Sequence, residues 1–290
     1  MIEAVVVNHN TSLFTLLALH SLHHLQPDHA GLLRLTVVDN ASDDDDAGSL
    51  KRYCQERGIE FAQSGFGPGG RINSHGDLLR RYVLDHPAPD FYLFLDADVC
   101  FLEPDSVTRM RQELAAAAEE VWALQARFHS TERHFGADRS LATESHRRML
   151  HLLAIRTEKP MAGEELAAMQ LEGRRTHSGP THARCHPACA LIRNTPLFRS
   201  VAEHVGFSTA WIWSEDHDVG GFYDTLSLAS RVMTACGSRV ELSSVEVDHF
   251  YNVSYDEREL TEKKRSEARR RLQRLETGRP PVEPGGGWGS

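Results

Sequence analysis

Three short, mostly apolar runs each end on a side chain that can bind a ligand. Ile2 to Val7 is followed by Asn8, Leu33 to Val38 by Asp39, and Phe91 to Leu95 by Asp96. Runs this short, rich in β-branched and aromatic residues, read as strands buried on both faces. A weaker strand is expected at Ile59 to Ala62. Between the runs the period changes. Leu13, Leu16, Leu17, Leu19 and Leu22 recur at helical spacing after Thr11 or Ser12, either of which could cap a helix. A weak helix follows the acidic run Asp43 to Asp46, read as a solvated turn, and another is expected over about 72–84. Strands alternating with helices imply an α/β domain whose open, mostly parallel, mixed sheet carries helices on both faces. Ligands of such sheets gather at the carboxyl ends of the strands. The polar clusters Asn8-His9-Asn10, Asp39-Asn40 and Asp96-Ala97-Asp98 all fall there.

The second half is less regular. Strands are expected at Val121 to Ala126, Ala188 to Ile192 and Val240 to Val247, the last ending in Asp248-His249. Helices are expected around Ala115 to Ala118, near 143–155 and 163–171, at Pro196 to His204 and over Glu215 to Ser230, although Gly220-Gly221 weakens that last one. Residues 258–276 hold eight Arg or Lys against four Glu. With few apolar positions they read as a solvated helix. Residues 278–290 read as a flexible tail.

Composition narrows the function. With 32 basic and 41 acidic residues the 290-residue chain carries a net charge of −9, so it lacks the basic footprint of a nucleic-acid binder. No apolar run is long enough to span a membrane, and the N-terminus does not have the pattern of a signal peptide. A cytoplasmic protein without integral membrane association is expected. Five widely spaced cysteines fit reduced thiols better than a disulfide framework.

Asp96-x-Asp98 sits where the central strand ends. Two carboxylates two residues apart at such a point can both reach one hard divalent cation, Mn2+ or Mg2+. His182, Cys185, His186 and Cys189 have spacing that could hold zinc; buried thiols are the simpler reading. Gly65-x-Gly67-x-x-Gly70 matches a dinucleotide fingerprint formally, but it follows the third strand and contains Pro68, so an NAD-dependent oxidoreductase is a poor fit. Neither a Gly-x4-Gly-Lys phosphate loop nor a Gly-x-Ser-x-Gly elbow occurs.

Taken together, the pieces resemble an inverting glycosyltransferase of the GT-A fold, close to the family 2 group. Val5-Val6-Val7-Asn8-His9-Asn10 resembles its first strand and nucleotide-binding turn, and Val37-Val38-Asp39-Asn40-Ala41-Ser42 its base-contacting segment. Gly65-Phe66-Gly67 through Asn73 resembles the glycine-rich loop, and Asp96-Ala97-Asp98 the DxD motif. Glu215-Asp216 resembles the acid pair that opens the catalytic helix, and His249 sits where many members carry a third metal ligand. The resemblance implies a GT-A-like domain over 1–257, with a nucleotide-sugar half (1–110) and an acceptor and catalytic half (111–257), followed by the basic helix and tail (258–290). It implies that Asn8, Asn10, Asp39, Arg71 and Asp96 face the donor, and that Asp98 and His249 hold Mn2+ or Mg2+. Asp216 would be the general base, with Glu215 as the alternate. Trp211 and Trp213 could offer a face to a sugar. The donor would be a UDP-, GDP- or dTDP-sugar, and the acceptor a small molecule, glycan or peptide. A nucleotide-sugar-binding protein without turnover is the non-enzyme alternative.

Overall fold

A computed structural model of the chain describes residues 1–26, 31–65, 74–130, 185–214, 219–251, 253 and 258–282. The expected helices near 143–155 and 163–171 lie outside them. So do Arg71, Asn73, His182, Glu215 and Asp216.

The first half alternates as its periodicity requires: β1 (Ile2–Asn8), α1 (Ser12–Leu25), β2 (Leu33–Asp39), α2 (Ala47–Arg57), β3 (Glu60–Gln63), α3 (Ser74–Asp85) and β4 (Phe91–Asp96). Then come β5 (Val99–Phe101), α4 (Ser106–Ala116), β6 (Val121–Ser130), β7 (Cys189–Arg193) and α5 (Pro196–His204). The chain continues through β8 (Ala210–Ser214), β9 (Val219–Tyr223), α6 (Ser227–Ala235), β10 (Arg239–His249) and α7 (Arg258–Glu276). Eight strands form one sheet in the order β3-β2-β1-β4-β7-β6-β10-β5. The β3, β2, β1 and β4 pairings are parallel, as is β6 with β10, whereas β7 runs antiparallel to both β4 and β6, and β5 antiparallel to β10. The sheet is mixed, with helices on both faces.

Alternation along β1 shows how the two faces are filled. Ile2, Ala4 and Val6 join a cluster with Leu16, Leu19 and Leu22 of α1, Leu50 of α2 and Met110 of α4. Val5 and Val7 point the other way, toward Leu79 and Val83 of α3, Phe198 of α5 and Met233 of α6. Fully burying each such side chain contributes about 1.5–3 kcal/mol. Helix α1 is apolar on two sides because it is sandwiched: Leu13, Phe14 and Leu17 face Phe250, Ala268 and Leu275, so α7 forms a further layer outside it.

Two expectations change. The segment over 215–230 is not one helix: β9 occupies Val219–Tyr223 and pairs antiparallel with β8, and α6 begins only at Ser227. Trp211, Ile212, Phe222 and Tyr223 favour strand, and Gly220-Gly221 disfavours helix. The basic segment 258–276 is helical but not merely solvated, since Lys264, Ala268, Arg271 and Leu275 are buried along one stripe.

The connection from β4 to β5 dictates the overall curl. These strands lie four strand spacings apart in the sheet order, a distance of about 19 Å in a flat sheet. Only Ala97 and Asp98 separate them in sequence, and the three steps from Asp96 to Val99 reach at most about 11 Å. The sheet therefore has to curl until its far edge returns to the carboxyl end of β4. That curl carries β10, and with it His249, to the Asp96-Ala97-Asp98 turn.

Candidate metal and donor site

The first three strands of the site end in register. Asn8 of β1 pairs with Asp39 of β2, and Val7 pairs with Asp96 of β4. On the other side His249 pairs with Val99, and the Phe250 N–H donates to the Asp98 carbonyl at 3.0 Å. Parallel pairing and curl thus bring residues from four strands to one rim.

Asp96, Asp98 and His249 each offer one ligand atom, and these atoms all lie within 4.8 Å of one another. Among the described residues no other group of three or more His, Cys, Asp or Glu side chains does this. His249 Nε2 is 3.0 Å from Asp98 Oδ1 and 3.5 Å from Asp96 Oδ2. On the far side of Asp96, His75 Nε2 from the first turn of α3 stands 3.6 Å from Oδ1. That oxygen is buried and takes no hydrogen bond. Burial raises the Asp96 carboxyl above its usual range, with the charges of His75 and His249 opposing it. Burial would raise Asp98 as well, but the charge and hydrogen bond of His249 outweigh it and hold that carboxyl low. For His249, burial favours the neutral ring, yet Asp98 and Asp96 hold its pKa up. Asp98 and His249 thus face each other as a charged pair, with the half-buried Asp96 carboxyl beside them. The rings of Tyr251, Phe128 and His186, with centroids 4.0, 5.3 and 5.8 Å from that of His249, surround the imidazole.

Asn8, Asn10 and Asp39 belong to one hydrogen-bonded cluster at the ends of β1 and β2. Asn8 is fully buried. Its Nδ2 donates to Asp39 Oδ1 at 2.9 Å and Ser42 Oγ at 2.9 Å, and its Oδ1 accepts from Thr11 and Thr15. Asn10 adopts φ 55°; its Oδ1 accepts from the Asp43 N–H at 2.9 Å, shaping the loop after β2. Asp39 retains a small exposed surface, 6%. The acidic run is more than a solvated turn. Asp44 accepts from the Ser12 backbone and hydroxyl, doing for α1 what no Thr11 side-chain cap does, and Asp46 pairs with Arg265 at 3.1 Å.

The zinc spacing is not borne by the described part of the motif. Cys185 and Cys189 are buried, and among the described residues Cys185, His186 and Cys189 do not bring their ligand atoms together as a metal-sized group. His186 instead lies beside Phe128 and His249.

His75 and the ring of aromatic side chains are additions that the motifs alone do not supply. The placement of His75 depends on Gly76. A Cβ there would come within 2.4 Å of the Phe207 carbonyl oxygen, so only glycine lets α3 begin against the segment that leads into β8.

No known protein-family profile and no curated protein matches the chain. Solved structures do. A mannosyltransferase from Pyrobaculum calidifontis, PcManGT, determined with GDP-Man and Mn2+, aligns over 94% of this chain and 61% of its own, at 14% identity and a TM-score of 0.50. TarS of S. aureus aligns over 94% of this chain and 43% of its own, at 13% identity and a TM-score of 0.50. The fold is GT-A-like. At these identities the likeness concerns the fold alone, and the chain spans about three-fifths and two-fifths of the lengths of these two structures. In a GT-A-like sheet the rim described above is the carboxyl end of the parallel strands, where ligands of open α/β sheets bind.

Proposed function

We propose that the chain is a metal-dependent inverting glycosyltransferase that moves a sugar from a UDP-, GDP- or dTDP-sugar to a small-molecule, glycan or peptide acceptor. The observation that carries this reading is the convergence of Asp96, Asp98 and His249 on the rim that also holds Asp39. Two carboxylate oxygens and an imidazole nitrogen suit Mn2+ or Mg2+. Asp96 presents its Oδ2 to this group, 3.5 Å from His249 Nε2, while its buried Oδ1 faces His75. Asp98 and His249 would hold the cation, with Asp96 beside them, and when bound it would neutralise the diphosphate as that leaves.

The chain's own residues do the rest. Asp39 accepts a hydrogen bond from the nucleotide base, in a loop held by Asn8, Asn10 and Ser42. Asp96 faces the ribose, and Arg71 pairs with the diphosphate. Asp216 takes the proton from the acceptor hydroxyl, which attacks the anomeric carbon from the face opposite the leaving group. The acid pair lies in the connection between β8 and β9. The role of Asp216 rests on the resemblance of Glu215-Asp216 to the acid pair of the family.

The test is release of nucleoside diphosphate from UDP-, GDP- and dTDP-sugars with Mn2+ or Mg2+. One donor should turn over slowly even without acceptor. Asp216→Asn should keep donor binding and lose turnover by about 10²–10⁴-fold. Binding without any release in the wild-type chain would favour the nucleotide-sugar-binding reading, and full turnover by Asp216→Asn would remove it as the base.

A further inference from the structure

We infer that Arg271 of the C-terminal helix is a positioning residue for His249, so that α7 is part of the metal-binding device and not an appendage to it. The inference rests on the reading of Asp96, Asp98 and His249 as a metal site. Side chains alternate along a strand, so Asp248 and Phe250 straddle His249 and point away from it. One guanidinium grips both. Arg271 Nη1 donates to Asp248 Oδ2 at 2.6 Å, and Arg271 Cζ lies 5.1 Å from the centroid of the Phe250 ring. The side chains of Arg271 and Asp248 are 0% and 1% exposed. Seven residues earlier on the same stripe, Lys264 Nζ donates to the Tyr251 carbonyl at 2.6 Å. The backbone that presents His249 is therefore fixed from behind at 248, 250 and 251. Arg271 is itself oriented by Glu267, whose Oε1 accepts from its Nε at 2.7 Å. Arg265 extends the brace to the loop after β2 through Asp46.

Stability alone is a weak account of this arrangement. Replacing both members of a buried ion pair with apolar residues of similar size is often neutral or favourable. What such a replacement discards is direction: the fork that places Asp248, and through the backbone places the imidazole nitrogen against Asp98. Partners hydrogen-bonded directly to a ligand typically change metal affinity by about 10–100-fold when removed, which sets the upper bound for a brace that acts through the neighbouring residues.

The experiment titrates the full-length protein with Mn2+ alone, reading free Mn2+ by electron paramagnetic resonance, alongside urea unfolding without metal. The variants are Arg271→Met with Asp248→Leu, and Arg271→Lys. The double variant should keep a urea midpoint near wild type yet bind Mn2+ more weakly, by up to about 100-fold. Arg271→Lys retains the charge but not the planar fork, and should fall between the two. Wild-type Mn2+ affinity in the folded double variant would overturn the inference and leave the metal site standing. Should the double variant fail to fold, Arg271→Lys decides: weakened binding supports the role, and unchanged binding refutes it. A folded wild-type chain that binds no Mn2+ would overturn the metal reading, and this inference with it.

Discussion

The two hydrogens of Asn8 Nδ2 are shared among Ser12, Asp39 and Ser42, and its Oδ1 accepts from Thr11 and Thr15. Asn8 ties the ends of β1 and β2 to the start of α1 and so sets the shape of the loop that Asp39 anchors. Removing it strands several buried polar groups. Asn8→Ala should cost about 1–3 kcal/mol, measured as a lowered urea midpoint; an unchanged midpoint would contradict its role as a hub. Glu267 makes a prediction with a definite sign. Burial alone would push its carboxyl up, but hydrogen bonds from Arg270 and Arg271 outweigh this and hold it low. The stability it adds is therefore complete above the unfolded glutamate value of about 4.3 and is lost as pH falls through the lower folded value. The melting-temperature difference between wild type and Glu267→Gln should be positive at neutral pH and shrink steadily below about pH 4. A difference that grows on acidification would contradict this.

At the scale of elements, caps and close approaches set where the site's supports begin. Thr195 caps α5 through its hydroxyl, which accepts from the Phe198 N–H at 3.1 Å, with Pro196 as the first helical residue. Thr195→Ala should lower stability by about 1 kcal/mol without changing Mn2+ binding, because α5 packs on the face away from α1 and α7. Gly76→Ala is a sharper test. Its Cβ would meet backbone at Phe207 and Ser208, so α3 must shift relative to the segment entering β8. We expect about 1–3 kcal/mol of destabilisation together with a loss of donor turnover greater than that of Thr195→Ala. Equal turnover in the two variants would mean that the α3 contact does not serve the site. Continuous apolar runs made β1, β2 and β4 legible in the sequence, because each is buried on both faces, and the helical spacing of its leucines made α1 legible. The short β5 was not legible, since three residues carry no period. Helix α7 was misjudged for a physical reason: two of the four residues in its buried stripe are Lys264 and Arg271, and a pattern of apolar residues cannot register a cation whose partner, Asp248, lies elsewhere in the chain.

For the whole molecule, the site follows from chain connectivity. The turn Asp96-Ala97-Asp98 joins strands that are distant in sheet order, and the sheet must curl to accommodate it. This curl closes the gap between Asp98 and a histidine 151 positions later in the chain. The three strand-end clusters could be placed on one rim from sequence, because parallel strands share their carboxyl ends. His75 could not, because its approach to Asp96 depends on the close packing of Gly76, a contact between residues far apart in sequence. The central claim is that this rim holds a divalent cation between Asp98 and His249. Crystals of the full-length protein soaked with Mn2+ and a nucleoside diphosphate, measured at the manganese absorption edge, test it most directly. The account predicts an anomalous peak bounded by Asp96, Asp98 and His249, absent in Asp98→Ala. An ordered nucleotide with no peak there, or with the manganese held by other residues, would contradict it.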